Sequence, residues 1–118
     1  MFRLVAKKYI LILILLTLGL NAQQLKFKYI DNEDGLSSLF VSSIMQDDLG
    51  FMWFGTQDGL NKYDGYQIKV YKTDPDNPDN SLSSNEIYCQ NQINHTLTVI
   101  GTREGVTLFY PLTEKFVS

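Results

Sequence analysis

Apolar and polar residues alternate along most of this chain with the period of two that is typical of half-buried β-strands. Leu25, Phe27 and Tyr29 alternate with lysines, which predicts an opening strand before the turn signal at residues 31–35. Beyond that turn, short apolar segments are separated by turns rich in Asp, Asn and Gly. We therefore predict an all-β chain of up-and-down hairpins, with first strands at residues 41–46, 51–55, 60–63 and 66–71.

The first 22 residues have a different pattern. Basic residues in the first eight positions precede an apolar run over residues 9–20, and Ala22 supplies a small residue after it. This order predicts a secretory signal peptide that is cut between Ala22 and Gln23. The apolar run is shorter than the roughly 18 to 20 residues of a spanning helix, so a retained N-terminal anchor is the alternative. No Cys follows the run directly, which does not support a lipid anchor.

The remaining chain repeats itself at a spacing of 46 residues. A Gly-Thr-x-x-Gly motif begins at Gly55 and again at Gly101, and Leu-Ser-Ser begins at Leu36 and again at Leu82. Matches at turns and strand edges indicate a decayed repeat, and repeats of this length are typical of stacked architectures. The identical pairs are Leu36 and Leu82, Ser37 and Ser83, Ser38 and Ser84, Gln46 and Gln92, Gly55 and Gly101, Thr56 and Thr102, Gly59 and Gly105, and Lys69 and Lys115.

Each repeat reads as one four-stranded sheet that cannot bury its apolar face alone. Glycines at positions 55, 59 and 65 favour tight turns or close approach of sheets. Trp53 supplies a large apolar area, and its place among alternating hydrophobic residues favours packing between sheets over stacking on a sugar ring. Stacking four to eight such sheets around an axis is the β-propeller solution to exposed sheet faces.

Charge and single reactive residues exclude several functions. The formal net charge is −3, and without the first 22 residues seven Lys and Arg stand against 13 Asp and Glu. Such an acidic chain is a poor nucleic-acid ligand, so we expect no nucleic-acid partner. Cys89 lies in an alternating segment and reads as a small buried hydrophobic residue rather than a reactive thiol. His95 reads as a turn or surface residue.

No pattern of catalytic, metal-binding or cofactor-binding residues emerges. The connector at residues 73–81 superficially resembles a calcium loop, but Asp79 and Asn85 occupy the positions where Gly and a bidentate carboxylate are required. One His and one Cys do not make a typical zinc ligand set. The carboxylate pairs Asp47-Asp48 and Asp74-Asp76 fall in turns, where Asp is favoured for local hydrogen bonds. We expect no catalysis, no metal and no cofactor.

The run Gly-Phe-Met-Trp-Phe-Gly-Thr-Gln-Asp-Gly-Leu-Asn-Lys-Tyr-Asp-Gly at residues 50–65 carries a family resemblance. With Gly-Leu-Ser-Ser at residues 35–38 and Gln46-Asp47 before it, it resembles the two-component regulator propeller repeat. The resemblance covers roughly residues 25–118. It implies the periplasmic sensor region of hybrid two-component histidine kinases of Bacteroidetes, many of which respond to oligosaccharides.

The resemblance also implies a domain organisation and a set of partners. We expect a signal peptide at 1–22, an opening strand at 23–34, a first propeller blade with its connector at 35–80, and a second, decayed and truncated blade at 81–118. Expected partners are an oligosaccharide or other periplasmic ligand and further blades or a second protomer. Contact with the membrane would come only through downstream parts, and no kinase lies in this chain.

Two questions about function stay open at this point. Ligand-contacting residues cannot be assigned, although propeller ligands bind at loops at one end, where Gln57, Asp58 or Asn61 are candidates. The alternative to a sensor is a secreted propeller scaffold or binding protein, or a nonfunctional remnant of a sensor gene. Further repeats, a membrane helix and a kinase encoded downstream would favour the sensor.

Two blades alone leave an apolar face open, so we expect the isolated chain to aggregate, dimerise or stay partly disordered.

Overall fold

The N-terminal region begins with one helix. The computed structural model describes residues 1–17 and 23–118, and helix α1 spans Phe2–Thr17. Its 16 residues are apolar in their second half and make up most of the predicted signal peptide. The predicted cleavage position after Ala22 lies outside the described residues. Within the described ranges, no helix combines the length and the apolar content that crossing a membrane requires.

The rest of the chain forms two antiparallel sheets of four strands each, joined in sequence order. We call them the first blade and the second blade. Short 3-10 turns at Asn32–Asp34 and Pro78–Asn80 precede the two blades. The strands are β1 (Val41–Gln46), β2 (Met52–Thr56), β3 (Gly59–Tyr63) and β4 (Ile68–Tyr71) in the first blade, and β5 (Ile87–Asn94), β6 (Leu97–Thr102), β7 (Gly105–Tyr110) and β8 (Lys115–Val117) in the second.

The predicted up-and-down hairpins of the first blade are confirmed. Strand β1 has the predicted bounds, and β2 is displaced by one residue. Strand β3 begins one residue earlier than predicted, and β4 begins two residues later. Asp64 explains the late start of β4, because its carboxylate accepts hydrogen bonds from the amides of Tyr66 and Gln67, both 2.8 Å long. This local turn holds Tyr66 and Gln67 outside the ladder.

The predicted opening strand is not formed in this structure. Residues 23–30 form no strand, and the side chains of Leu25, Phe27 and Tyr29 are 80%, 81% and 87% exposed. A strand needs a neighbour for its backbone N–H and C=O groups. Within the described ranges no strand pairs with this segment, so the alternating pattern has no sheet to join.

The core lies between the two blades. Trp53 of β2 is 3% exposed and packs edge-on against Phe109 of β7, with ring centroids 5.4 Å apart. Ile87 of β5 is fully buried and fits against Gly55, where an added Cβ would lie 2.6 Å from its Cγ2 atom. The expectation that Trp53 packs between sheets is confirmed, and Gly55 permits the close approach.

The second blade has four strands, and its strand pairing is less regular than that of the first blade. Its fourth strand, β8, pairs with β7, although we expected the blade to be truncated. It has two register irregularities, one between Ile87 and Cys89 and one between Gln92 and Asn94, whereas β1 has one. The second lies beside the turn at His95, which is exposed as expected.

Cys89 corrects another expectation, because its side chain is free and exposed rather than buried. It lies opposite Gly101 and on the same face as Val106 by strand register. This face points away from the first blade, and within the described residues no sheet covers it. In the first blade the equivalent face is covered by the second, and Ser43, which is 46 residues before Cys89, is half-buried there.

Candidate functional site

A polar cleft opens where the two blades meet, at one end of both sheets. Its volume is about 710 Å³, and we call it the inter-blade cleft. Turns from both blades and the connector between them contribute to its wall. The lining residues are all polar or charged: Gln57, Asp58, Thr73, Ser83, Ser84, Asn85, Glu86, Arg103 and Glu104.

Two equivalent turns form opposite sides of the inter-blade cleft. Between β2 and β3, the Thr56 hydroxyl donates to the Gly59 carbonyl at 2.9 Å and accepts from the Asp58 amide at 3.0 Å. Thr102 makes the same two bonds in the second blade, at 3.1 and 3.3 Å. The last glycine of each motif has a positive φ, which favours Gly over other residues. The Gly-Thr-x-x-Gly repeat therefore encodes a tight hairpin turn whose two central side chains face solvent.

The first serine of each Leu-Ser-Ser segment forms hydrogen bonds that fix the adjacent Gly-Thr-x-x-Gly turn. The Ser37 amide donates to the Asn61 side-chain oxygen at 2.9 Å, and the Ser37 hydroxyl lies 3.0 Å from the Thr56 hydroxyl. Ser83 makes the equivalent contacts in the second blade, to Thr107 and Thr102. Asn61 is fully buried in this network, so the structure removes it from the candidate ligand contacts.

Asn85 fixes the floor of the inter-blade cleft. Its backbone carbonyl accepts a 2.7 Å hydrogen bond from the Gly59 amide of the first blade. Its side-chain oxygen accepts a second bond of 2.7 Å, from the Thr73 amide in the connector. One residue thus ties the first blade, the connector and the start of the second blade together, so the cleft is formed by a fixed backbone arrangement.

Ion pairs lie along the wall of the cleft. Lys72 contacts Asp58 at 2.7 Å, and Arg103 contacts Glu86 at 3.3 Å. Both pairs are substantially exposed, so each contributes little to stability and its partners can exchange bonds with a ligand. The wall presents carboxylates, amides, hydroxyls and a guanidinium, and it has no aromatic side chain. Such a surface suits a ligand with many hydroxyl groups, recognised by hydrogen bonds.

The sequence predictions identified part of this site. Of the three candidate ligand contacts, Gln57 and Asp58 line the cleft, whereas Asn61 does not. Sequence reasoning missed Asn85, Glu86 and Arg103. The repeat held a usable signal, because Arg103 lies 46 residues after Gln57 and occupies the same turn position. Their backbones even bond alike, from the Gln57 amide to Phe40 and from the Arg103 amide to Glu86.

The carboxylates and serines outside the cleft have local structural roles. Asp47 accepts hydrogen bonds from the amides of Leu49 and Phe51 and from the Trp53 indole nitrogen, at 3.0, 2.9 and 2.8 Å. The Ser42 hydroxyl donates to backbone carbonyls of Gly55 and Ile87. The expectation of local hydrogen bonding is confirmed for Asp47, whereas the Asp48 carboxylate accepts a 2.8 Å bond from the Gln92 side chain of the second blade.

A polar latch joins the blades at their outer edge. Glu114, in the turn before β8, lies 2.7 Å from Lys69 and accepts a 2.7 Å hydrogen bond from the Tyr71 hydroxyl. The bonds from Lys69 and then Tyr71 hold the pKa of Glu114 below its ordinary value. Burial, followed by the bond to Glu114, raises the pKa of Tyr71 well above its ordinary value. The latch therefore keeps a carboxylate and a neutral phenol paired across the blade interface.

Comparison with known proteins agrees with this construction. Residues 35–58 match the family model described as two component regulator propeller. This segment of the chain is therefore similar to a two component regulator propeller repeat. The matched residues run from the glycine before Leu-Ser-Ser, through β1 and β2, to the turn that presents Gln57 and Asp58. The two antiparallel sheets are accordingly propeller blades, as the sequence predicted.

Two relatives extend the comparison beyond one repeat. Over 63 residues the chain is 44% identical to histidine kinase P4 of Formosa agariphila, a match that covers 52% of this chain and 5% of that protein. It is also similar to the crystal structure of the extracellular domain of a hybrid two component system from B. thetaiotaomicron, with a TM-score of 0.69 and 34% identity. That alignment covers 75% of this chain and 12% of the solved chain. The chain thus resembles a small part of the extracellular propeller region of such systems.

Proposed function

We propose that this chain is the opening part of a ligand-sensing propeller of a hybrid two-component sensor kinase. The observation that carries the proposal is the inter-blade cleft, which equivalent turns of two propeller repeats build from polar side chains. Propeller proteins place binding residues on loops at one end of the blades, and this cleft lies at such an end. In this proposal the cleft contacts the ligand, and further blades complete the sensor.

The ligand class we propose is an oligosaccharide. Sugar hydroxyls both donate and accept hydrogen bonds, and the lining offers acceptors at Asp58 and Glu86, donors at Arg103, and both at Asn85. A cleft of about 710 Å³ lies within the range of small-ligand sites. The absence of aromatic side chains among the lining residues means that recognition here relies on hydroxyl groups rather than on ring stacking.

We further propose that the blades are exported and act in the periplasm. The basic residues and apolar helix α1 support a signal peptide, and the related solved structure is an extracellular domain. The chain itself contributes no kinase chemistry in this proposal and no other catalysis. Its Asp and Ser residues are engaged in turns and blade contacts, and His95 lies exposed in a hairpin turn.

Calorimetric titration of a panel of neutral and acidic oligosaccharides tests the proposal. The intact sensor is the first sample and the full chain described here is the second. We expect Arg103→Gln and Asp58→Asn to weaken binding about tenfold each, which is the effect of losing one or two hydrogen bonds. Asp76→Asn in the exposed connector is the matched control and leaves the affinity unchanged. Equal weakening by the control, or binding that ignores both cleft variants, contradicts a role for the cleft.

A further inference from the structure

A smaller pocket opens at the end of the first blade that lies opposite to the inter-blade cleft. Its volume is about 150 Å³, and we call it the lysine pocket. The residue before β2, the end of β3, the turn after it and β4 form its wall, through Phe51, Lys62, Asp64, Gln67 and Lys69. The inter-blade cleft lies beside the β2–β3 turn, at the other end of the same strands. The two sites are therefore separate.

The ammonium group of Lys62 lies at the aromatic side of the lysine pocket. It is 4.2 Å from the centre of the Phe51 ring and 5.4 Å from the centre of the Trp53 ring. Ring faces attract a cation, but a carboxylate oxygen would accept its N–H groups more strongly. Among the residues that the structure describes, Lys62 forms no ion pair. Its hydrogen-bond donors are therefore free for a ligand.

The other charged groups of the lysine pocket already have partners. The Asp64 carboxylate accepts two 2.8 Å hydrogen bonds from backbone amides of its own turn, and these bonds, first that from Gln67, hold its pKa below its ordinary value. The Lys69 ammonium is paired with Glu114 of the second blade at 2.7 Å. Of the charged side chains that line this pocket, Lys62 is thus the one whose charge is not matched by a close partner.

The second blade shows that the fold does not require a charge at this position. Leu108 lies 46 residues after Lys62, and it pairs with Val99 as Lys62 pairs with Trp53. The same strand pairing therefore forms with an apolar side chain. A charge on a partly buried side chain without an opposite charge is unfavourable, and an anionic ligand offsets that cost.

We propose that the lysine pocket binds one anionic group of a ligand, either a carboxylate or a sulfate ester. The Lys62 ammonium pairs with the anion, and the Gln67 side-chain amide is a neutral donor in the same wall. The Asp64 carboxylate disfavours a second negative charge nearby. The pocket is smaller than the roughly 300–1,000 Å³ of a site for a whole small molecule, so it holds a single group.

Tryptophan fluorescence tests the proposal, because Trp53 is the single tryptophan and its ring lies beside the Lys62 ammonium. The full chain is titrated with sodium sulfate, sodium galacturonate and galactose, at an ionic strength held constant with sodium chloride. We expect the two anions to shift the emission with saturation and to compete with each other, whereas galactose has no effect. A larger affinity for galacturonate than for acetate assigns part of the binding to the sugar, and equal affinities assign it to the anionic group alone. Both results agree with the proposal.

Substitutions separate this pocket from other positive charges of the chain. Lys62→Leu places the leucine of the second blade in the first, and we expect it to weaken both anions at least about tenfold. Lys115→Leu removes an exposed charge from β8 and is the matched control, with unchanged affinities. Lys62→Gln gives the same comparison if the leucine variant loses its far-UV circular dichroism spectrum.

Three results overturn the proposal. They are an equal response to galactose, no response to either anion, and a response that Lys62→Leu leaves unchanged. Arg103→Gln distinguishes this proposal from the role of the inter-blade cleft. A response that is lost in Arg103→Gln and kept in Lys62→Leu places the anion in the cleft, which supports the cleft as a binding site and contradicts the lysine pocket.

Discussion

The turn between the first two strands is stabilised by different side-chain hydrogen bonds in the two blades. In the first blade the Asp47 carboxylate gathers two backbone amides and the Trp53 indole nitrogen, and it is only 9% exposed. In the second blade Ile93 replaces Asp47, and Asn94 instead accepts from the amide and hydroxyl of Thr96 at 2.8 and 2.7 Å. We call the bonds to the Asp47 carboxylate the carboxylate clasp. The four-stranded sheet forms in both blades, so the clasp sets the geometry of one turn, whereas burial between the blades stabilises the sheets.

The largest effect on the free energy of unfolding is expected at Trp53, which lies in the core between the blades, whereas the equivalent Val99 does not. Trp53→Ala removes the buried ring that contacts Phe109, and we expect a loss of about 3–5 kcal/mol in the free energy of unfolding. Val99→Ala at the equivalent, half-buried position is the control, with a loss of about 1 kcal/mol or less. Urea unfolding followed by far-UV circular dichroism measures both. Similar losses at the two positions contradict the view that the covered face carries the stability.

Glycine substitutions sharpen the comparison between the covered and the open face. An added Cβ at Gly55 would lie 2.3 Å from Ser43 Oγ and 2.6 Å from Ile87 Cγ2, so Gly55→Ala is expected to cost about 1–3 kcal/mol. At Gly101 the close atom is the Cys89 sulfur, 2.7 Å away on an exposed side chain that can rotate. We expect Gly101→Ala to cost less than half as much in the same unfolding assay. A larger cost at Gly101 means that the open face is tightly packed in solution.

Removal of the carboxylate clasp separates turn geometry from sheet stability. Asp47→Ala leaves two amides and the indole nitrogen without their acceptor, at an expected cost of about 1–3 kcal/mol. Trp53 is the single tryptophan, so its emission spectrum reports the change directly. Asp48→Ala, which removes an exposed bond to Gln92, is the matched control and leaves the emission unchanged. An unchanged emission for Asp47→Ala argues against the clasp.

The smallest effect concerns the latch that crosses between the blades. The pKa of Glu114 is lowered in the folded chain, so its stabilisation is present above its ordinary value of 4.5 and is lost as the pH falls through the lowered value. Its side chain is 46% exposed, which limits the contribution to a few tenths of a kcal/mol. We expect Glu114→Gln to be slightly less stable than the unchanged chain at pH 7, and we expect this difference to shrink as the pH falls through the lowered pKa of Glu114. A difference that grows on acidification has the wrong sign for this latch.

Much of the fold was predictable because its signals are local. Turn residues and alternating hydrophobicity placed β1 to β4 within two residues of their observed starts. The Gly-Thr-x-x-Gly spacing also predicted two equivalent turns, since each bonds within its own few residues. Two of the nine lining residues of the cleft followed from the same logic, because Gln57 and Asp58 are the two central residues of such a turn.

The wrong predictions concern residues whose state depends on contacts with residues far away along the chain. Asn61 has the polarity of a ligand contact, yet Ser37, 24 residues away, makes it a buried structural residue. Cys89 has the pattern of a buried residue, yet its face has no covering sheet within the described residues. The missed cleft residues Asn85 and Glu86 lie in a connecting segment without periodicity, and only the docking of the blades brings them beside Asp58.

The sequence by itself determined the repeat, the strands and the turns, because these depend on contacts between residues close along the chain. The tertiary structure decided which faces are covered, which polar residues are buried and where the cleft opens, because these depend on how one blade lies against the next. Residues 25–29 show most clearly the difference between what the sequence specifies and what the tertiary structure decides. Their alternation specifies a strand, but a strand forms only where a neighbouring edge accepts its hydrogen bonds.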